Sequence, residues 1–361
     1  MLQKYFASSV AILCLTTTIY AQDSTTVAAS APVEEESPKP VISGYVDVYY
    51  RYNFNNAKSV GEFNNYTSFT NSQNSFELGM ASVKFEHSVG KVSVVADIGF
   101  GRRAEEFAYA DESTKIALKQ AYVSYQASDN FKITAGTFGT HVGYELADPY
   151  LNRNYSMSYM FSYGPFFHTG VKADITAGKS GFMVGIFNPN DLKTASFEQK
   201  MLGAQYSYAA SDSWKFYLNY IGGKLTEQTN LQQIDAVLLG TITDKFSVGY
   251  NGTVQSQKAK DSLGKYQDAD SWWGSAIYLN LDPSPKFGLT LRTELFNDKK
   301  NVLGFEGNIF ATTLSANLKA GPLTFIPEFR LENANREMYF KDDGTGSKST
   351  ATVLLAAVYQ F

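Results

Sequence analysis

From residue 42 to the end, the sequence repeats one unit: about ten residues alternating apolar and polar, then a break. "KFSVGYNGTVQ" (245–255) sets Phe246, Val248, Tyr250 and Val254 against Ser247, Gly249, Asn251 and Gln255. "SWKFYLNYIG" (213–222) sets Trp214, Phe216, Leu218 and Tyr220 against Lys215, Tyr217 and Asn219. "KFGLTLRTELF" (286–296) sets Phe287, Leu289, Leu291 and Leu295 against Thr290, Arg292 and Glu294. A period of two belongs to a strand with one apolar and one polar face. Sixteen such segments are predicted: 42–53, 76–87, 91–101, 115–127, 130–137, 166–177, 180–188, 200–210, 213–222, 231–241, 245–255, 271–281, 286–296, 308–318, 322–332 and 351–361.

The breaks alternate between two kinds. Long ones fall at 54–75, 102–114, 138–165, 189–199, 223–230, 256–270, 297–307 and 333–350; tight turns such as "SVG", "SD", "GK", "TD", "DPSP" and "AG" fall between them. A barrel that crosses an outer membrane has this asymmetry, and a tilted membrane strand needs about 9–11 residues. No stretch beyond the N-terminus approaches the roughly 18 apolar residues of a membrane helix. Lipid must take the apolar set, because Arg or Lys at the midplane costs about 2–4 kcal/mol. The fold class expected is therefore an all-β, transmembrane antiparallel barrel of about 16 strands, with long extracellular loops and short periplasmic turns. A closed barrel pairs its last strand with its first. That explains a chain ending in "ATVLLAAVYQF": Tyr359 and Phe361 belong at the membrane interface and are expected to serve barrel assembly.

Three segments fit less well. "FELGMASVKFEH" changes phase between Met80 and Val83, which implies a bulge. "LQQIDAVLLGT" is apolar on both faces. Pro327 sits in a central strand, where it removes a ladder bond; either a bulge accommodates it or the strand count is off by two.

The N-terminal region reads differently. Residues 1–21 form an expected signal peptide, with Lys4, the apolar "FASSVAILCL" and cleavage after Ala21. Residues 22–41 are an Ala/Ser/Pro/Glu-rich flexible periplasmic linker, and 42–361 the barrel. The single cysteine, Cys14, lies in the signal segment, so the mature chain offers no disulfide, thiol catalyst or cysteine metal site. Loss of Lys4 moves the net charge from −4 to −5, 30 basic against 35 acidic residues, which is not the balance of a nucleic-acid binder.

"NRNYSMSYMFSYGPFFHTGVKADI" (152–175) resembles the OmpL-like β-barrel porin family of Bacteroidetes-type outer membranes. "ISGYVDVYYRYNFN" (42–55), "NSFELGMASVKFEHSVGKVSVVADIGFG" (74–101) and "LKQAYVSYQ" with "FKITAGTFGTHVGYE" fit the same family pattern, so the similarity runs from residue 42 to the C-terminus. The resemblance implies a porin-like barrel and supplies no catalytic residues.

On the faces opposite lipid lie Asp47, Arg51, Asp97, Lys132, Lys172, Asp174, Lys215, Asp235, Arg292, Glu294, Glu328, Arg330 and Glu332. These thirteen candidate pore-lining residues are seven acids and six bases, so the expected ion selectivity is weak. The longest loop, 138–165, carries Glu145, Asp148 and Arg153 beside the aromatic-rich "YSMSYMFSYGPFF", including Tyr155, Tyr159 and Phe161. Aromatics at this density favour a loop folded into the barrel as a constriction over a solvated one. The expected function is passive diffusion of small hydrophilic solutes through a water-filled lumen, without cofactor or metal, in contact with outer-membrane lipid and after insertion by the barrel-assembly machinery. The oligomeric state is left open. Two alternatives remain: a loop-plugged surface-binding or adhesion barrel, and a lipolytic enzyme in which His168 would pair with Ser156 or Ser158. "DADS" (268–271) and "DDGTGS" (342–347) are acidic, but lack the spacing of a calcium loop.

Overall fold

The structure, a computed structural model, describes residues 38–361. The whole of the expected signal peptide and most of the linker lie outside the described residues.

The strands are β1 (Val41–Asn53), β2 (Ser75–Val89), β3 (Val92–Phe100), β4 (Leu118–Ser128), β5 (Phe131–Gly139), β6 (Phe167–Ala177), β7 (Ser180–Phe187), β8 (Met201–Ala209), β9 (Trp214–Lys224), β10 (Thr229–Thr243), β11 (Phe246–Ala259), β12 (Asp270–Ser284), β13 (Phe287–Asn297), β14 (Asn308–Ala320) and β15 (Leu323–Ala334). A small hairpin, β16 (Tyr339–Phe340) and β17 (Gly346–Ser347), decorates the last loop before β18 (Ser349–Gln360). Sixteen of these strands close an antiparallel barrel in chain order, and β18 returns to β1. The seam is in register at Val46↔Tyr359, and beyond it Gly44 and Phe361 exchange two backbone hydrogen bonds of 3.0 Å.

Alternation sorts the two faces as expected. Leu218, Ile234, Val254, Ile277 and Leu295 face outward and exposed. Outward aromatics mark the short-turn rim at Tyr125, Tyr208, Trp214 and Tyr359, and the opposite rim at Phe76 and Trp273. Rings at these heights suit the two water–lipid boundaries.

The phase change in β2 is a bulge at Gly79: Asp47 faces Met80, but Val48 faces Leu78. Only a glycine fits there, since a Cβ would stand 1.8 Å from Asp47 Oδ2. The bulge expected at Pro327 is absent. Its register with Leu355 of β18 is continuous, and on the β14 side pairing skips from Ser315↔Glu328 to Leu318↔Phe325 without a shift. The strand tolerates the missing N–H by opening one ladder locally. The break expected to be long at 223–230 shrinks to 225–228, because β9 and β10 run on as a hairpin.

The lumen and the loop that crosses it

The loop between β5 and β6 enters the barrel and is fastened to the inner wall along its length. Near its start, His141 Nε2 donates to the Tyr220 carbonyl of β9 (2.9 Å), and the Gly143 N–H donates to Asp235 of β10 (3.0 Å). Burial pushes the His141 imidazole down to about 4, so the ring is neutral. Tyr144 then stacks on Tyr278 of β12 at 4.0 Å. Each of the three charged residues singled out in the sequence meets an opposite charge on the wall. Glu145 pairs with Arg292 of β13 at 2.7 Å, Asp148 with Lys119 of β4 at 2.6 Å, and Arg153 with Asp282 of β12 at 2.7 Å. All three pin the loop to the wall.

The middle of the loop is the most tightly held. Asn154 donates to Ser315 of β14 (2.6 Å). The Tyr155 N–H donates to Glu328 of β15 (2.9 Å), and its hydroxyl donates to Asp47 of β1. Arg330 donates to the Met157 carbonyl (2.9 Å). Tyr159 gives its N–H to Glu294 (2.8 Å) and its hydroxyl to Glu332 (2.7 Å). Ser158 caps the short helix Tyr159–Ser162 by accepting from the Phe161 N–H. Tyr155 and Tyr159 are fully buried. Phe161 packs on Phe69 and Phe166, which brings the first external loop down over the third. From the second loop, Arg103 lies over the Phe69 and Tyr155 rings at 4.8 and 4.9 Å.

The thirteen inward residues therefore divide. Asp47, Arg51, Asp97, Asp235, Arg292, Glu294, Glu328, Arg330 and Glu332 face inward but are at most 5% exposed. Seven of them hold the inserted loop directly. Arg51 instead holds carbonyls of the first loop (Phe63, Asn64 and Ser72), and Asp97 reaches the inserted loop through Lys119 and Asp148. Lys132, Lys172, Asp174 and Lys215 keep contact with water.

Sequence reasoning missed Lys119 and the apolar inner wall. Leu354, Ala356 and Val358 of β18 turn inward against Ile326, Tyr49 and Tyr155. Phe138, Val142, Met183, Phe187, Met201, Ile221 and Leu231 form a second inward cluster. The signal was present: a barrel strand apolar on both faces has a dry lumen beside it. "LQQIDAVLLGT" showed this in Leu231 and Val237, both of which are buried.

His168 is buried and its Nε2 meets Thr140 Oγ1 at 3.1 Å. Ser156 and Ser158 are engaged elsewhere, the first with Arg292 and the second as the helix cap, so the structure does not form the serine–histidine pair. Among the described residues, no cluster of potential metal ligands occurs.

A closed sixteen-strand barrel with apolar outer bands, aromatic rims and an inserted third external loop has the architecture of an outer-membrane porin. Residues 41–361 match the family model described as "Putative beta-barrel porin-2, OmpL-like", and the chain belongs to that family. The barrel is similar to an anion-selective porin from Comamonas acidovorans at 10% identity, TM-score 0.57, covering 90% of this chain and 99% of that one. It is similar to OmpT of Vibrio cholerae at 10% identity, TM-score 0.55, covering 90% and 100%, and to a mutant of the Rh. blastica porin with the same four values. At these identities the likeness concerns the fold. No curated protein matches the chain.

Proposed function

We propose that this porin carries small hydrophilic solutes passively, and that the loop 140–166 sets how wide the passage is. The single observation that carries the reading is the ring of loop-to-wall bonds, from His141 on β9 through Glu145, Arg153, Tyr155 and Tyr159 to β1 and β15. A segment tied across the lumen limits what passes beside it. Ionic and polar ties can also release, because each partner regains water when the loop withdraws. No catalysis and no cofactor enters this reading, and the four inward charges that keep contact with water act on solutes through their field.

The packed lumen favours a second reading, a plugged barrel whose external loops bind a surface ligand. Conductance separates the two. In a planar bilayer the full-length protein gives small, steady open steps. Removing 145–156 from the loop enlarges the steps and weakens size exclusion. A correctly folded deletion with unchanged conductance and solute cut-off removes the constriction role. A folded barrel that stays silent in both forms removes the channel reading in favour of the plugged one.

A further inference from the structure

The part of the lumen that the loop leaves wet is chemically one-sided. Lys132 lies near the start of β5 and Lys215 near the start of β9, both at the short-turn end, with Asp174 toward the same end of β6 and Lys172 at the middle of that strand. Lys132 and Asp174 are direct cross-strand partners, and the Lys172 ammonium lies 3.2 Å from Asp174 and over the Phe138 ring. Lys84 and Glu86, on the inner face of β2, pair at 2.9 Å and are both partly exposed. Among these residues four lysines stand against two carboxylates, and the partly exposed Arg153–Asp282 pair adds one charge of each sign. The two carboxylates are taken up by Lys84 and Lys172. Among the described residues, no carboxylate lies within ion-pair distance of Lys132 or Lys215, although Asp174 faces Lys132 across the β5–β6 ladder.

The seven-to-six balance of the whole wall is therefore not what a solute meets. Six of the seven acids, Asp47, Asp97, Asp235, Glu294, Glu328 and Glu332, are sealed under loops, whereas three of the six bases stay wet. Beside this basin the inner wall carries the apolar cluster around Phe138, Phe187 and Ile221. A low-dielectric wall next to wet lysines strengthens their field in the water they face.

We infer that the basin of Lys132, Lys172 and Lys215 is an anion-binding and anion-selecting site for small phosphate- or carboxylate-bearing solutes. The inference rests on the porin reading for its transport consequence, but the site itself does not need a conducting state. A net charge of about two at about one Debye length, roughly 10 Å, from a passing ion favours anions over cations by about threefold at 0.1 M salt, after screening.

Two measurements on the full-length protein test it. The reversal potential under a KCl gradient should show chloride preferred over potassium by about that factor. The triple variant K132Q/K172Q/K215Q, checked as a heat-modifiable folded barrel, should bring the ratio to one or below. Open steps that prefer potassium, or a chloride preference that survives the triple variant, overturn the site while leaving the channel reading intact. Calorimetric titration of inorganic phosphate into the detergent-solubilised barrel covers the silent case. There, binding lost in the triple variant keeps the anion site and discards passive transport. Absence of binding to the parent protein overturns the site.

Discussion

Glu145 is the residue whose removal most directly tests whether the loop is held by its ionic ties. Its carboxylate accepts from Arg292 (2.7 Å), the Tyr278 hydroxyl (3.1 Å) and the Ser158 N–H (2.7 Å), at 4% exposure. Glu145→Ala leaves Arg292, which is fully buried, without its shortest ionic partner. Removing one member of a buried pair costs about 3–5 kcal/mol. Arg292 retains Glu294 at 3.3 Å and the carbonyls of Ser156 and Met157 at 2.7 and 3.2 Å, so the lower end applies, about 3 kcal/mol. That cost falls on the inserted state alone, since a withdrawn loop lets Arg292 and Tyr278 hydrate. At about 1.4 kcal/mol per tenfold, the equilibrium between inserted and withdrawn loop moves roughly a hundredfold toward withdrawal. Single-channel recording should show wide openings becoming more frequent and longer by that order. Glu145→Gln, which keeps an acceptor for Ser158 and Tyr278, should fall between. A folded Glu145→Ala barrel with parental step size and open time would refute the idea that this pair holds the loop.

Two further expectations concern other parts of the barrel. Deleting Phe361 removes the two bonds it exchanges with Gly44 at the seam, so the amount of heat-modifiable barrel in the membrane should fall severalfold while molecules that do assemble conduct normally; parental assembly yield would remove this role. Asp191 accepts from the Phe166 and Phe167 N–H groups and from Tyr109, and burial raises its carboxyl to about 7. Between the unfolded value of about 3.9 and 7 the native state holds a proton that the unfolded state has lost, so stability falls as pH rises through this window and levels above it. Hydrogen exchange at the Phe166 and Phe167 amides should therefore show more protection at pH 5 than at pH 8 after correction for intrinsic rate, and Asp191→Asn should flatten the difference; equal protection in the parent protein contradicts the assignment.

The outer surface was legible because lipid imposes a local rule. Each strand must present apolar residues at every second position, whatever its neighbours are, so boundaries such as those of β1, β11 and β13 fall within a few residues of the alternating segments. Even the bulge announced itself, as a phase slip that Gly79 resolves. Pro327 shows the limit of that rule, because whether a ladder breaks by bulging or by opening depends on the neighbour strand and not on the proline.

The interior obeys no such local rule. Which acid meets which base is decided by the path of a loop that bridges residues far apart in sequence, as in Glu145 with Arg292 or Tyr155 with Asp47. A count of inward charges therefore overstates what water can reach. The better indicator was the apolar inward residue. Thr350 and Thr352 of β18 face inward and bind Asn53, but Leu354, Ala356 and Val358, farther along the same face, have no reason to be apolar beside a water-filled channel. Their chemistry makes sense only if something dry lies against them, and the one long loop rich in Tyr, Met and Phe is the segment able to supply it. The same argument applied to β5 and β6 gives the opposite answer. Lys132, Lys172 and Asp174 stay partly exposed, and among the described residues none of them bonds to a loop side chain, so that wet remnant of the lumen is where selection among solutes can act.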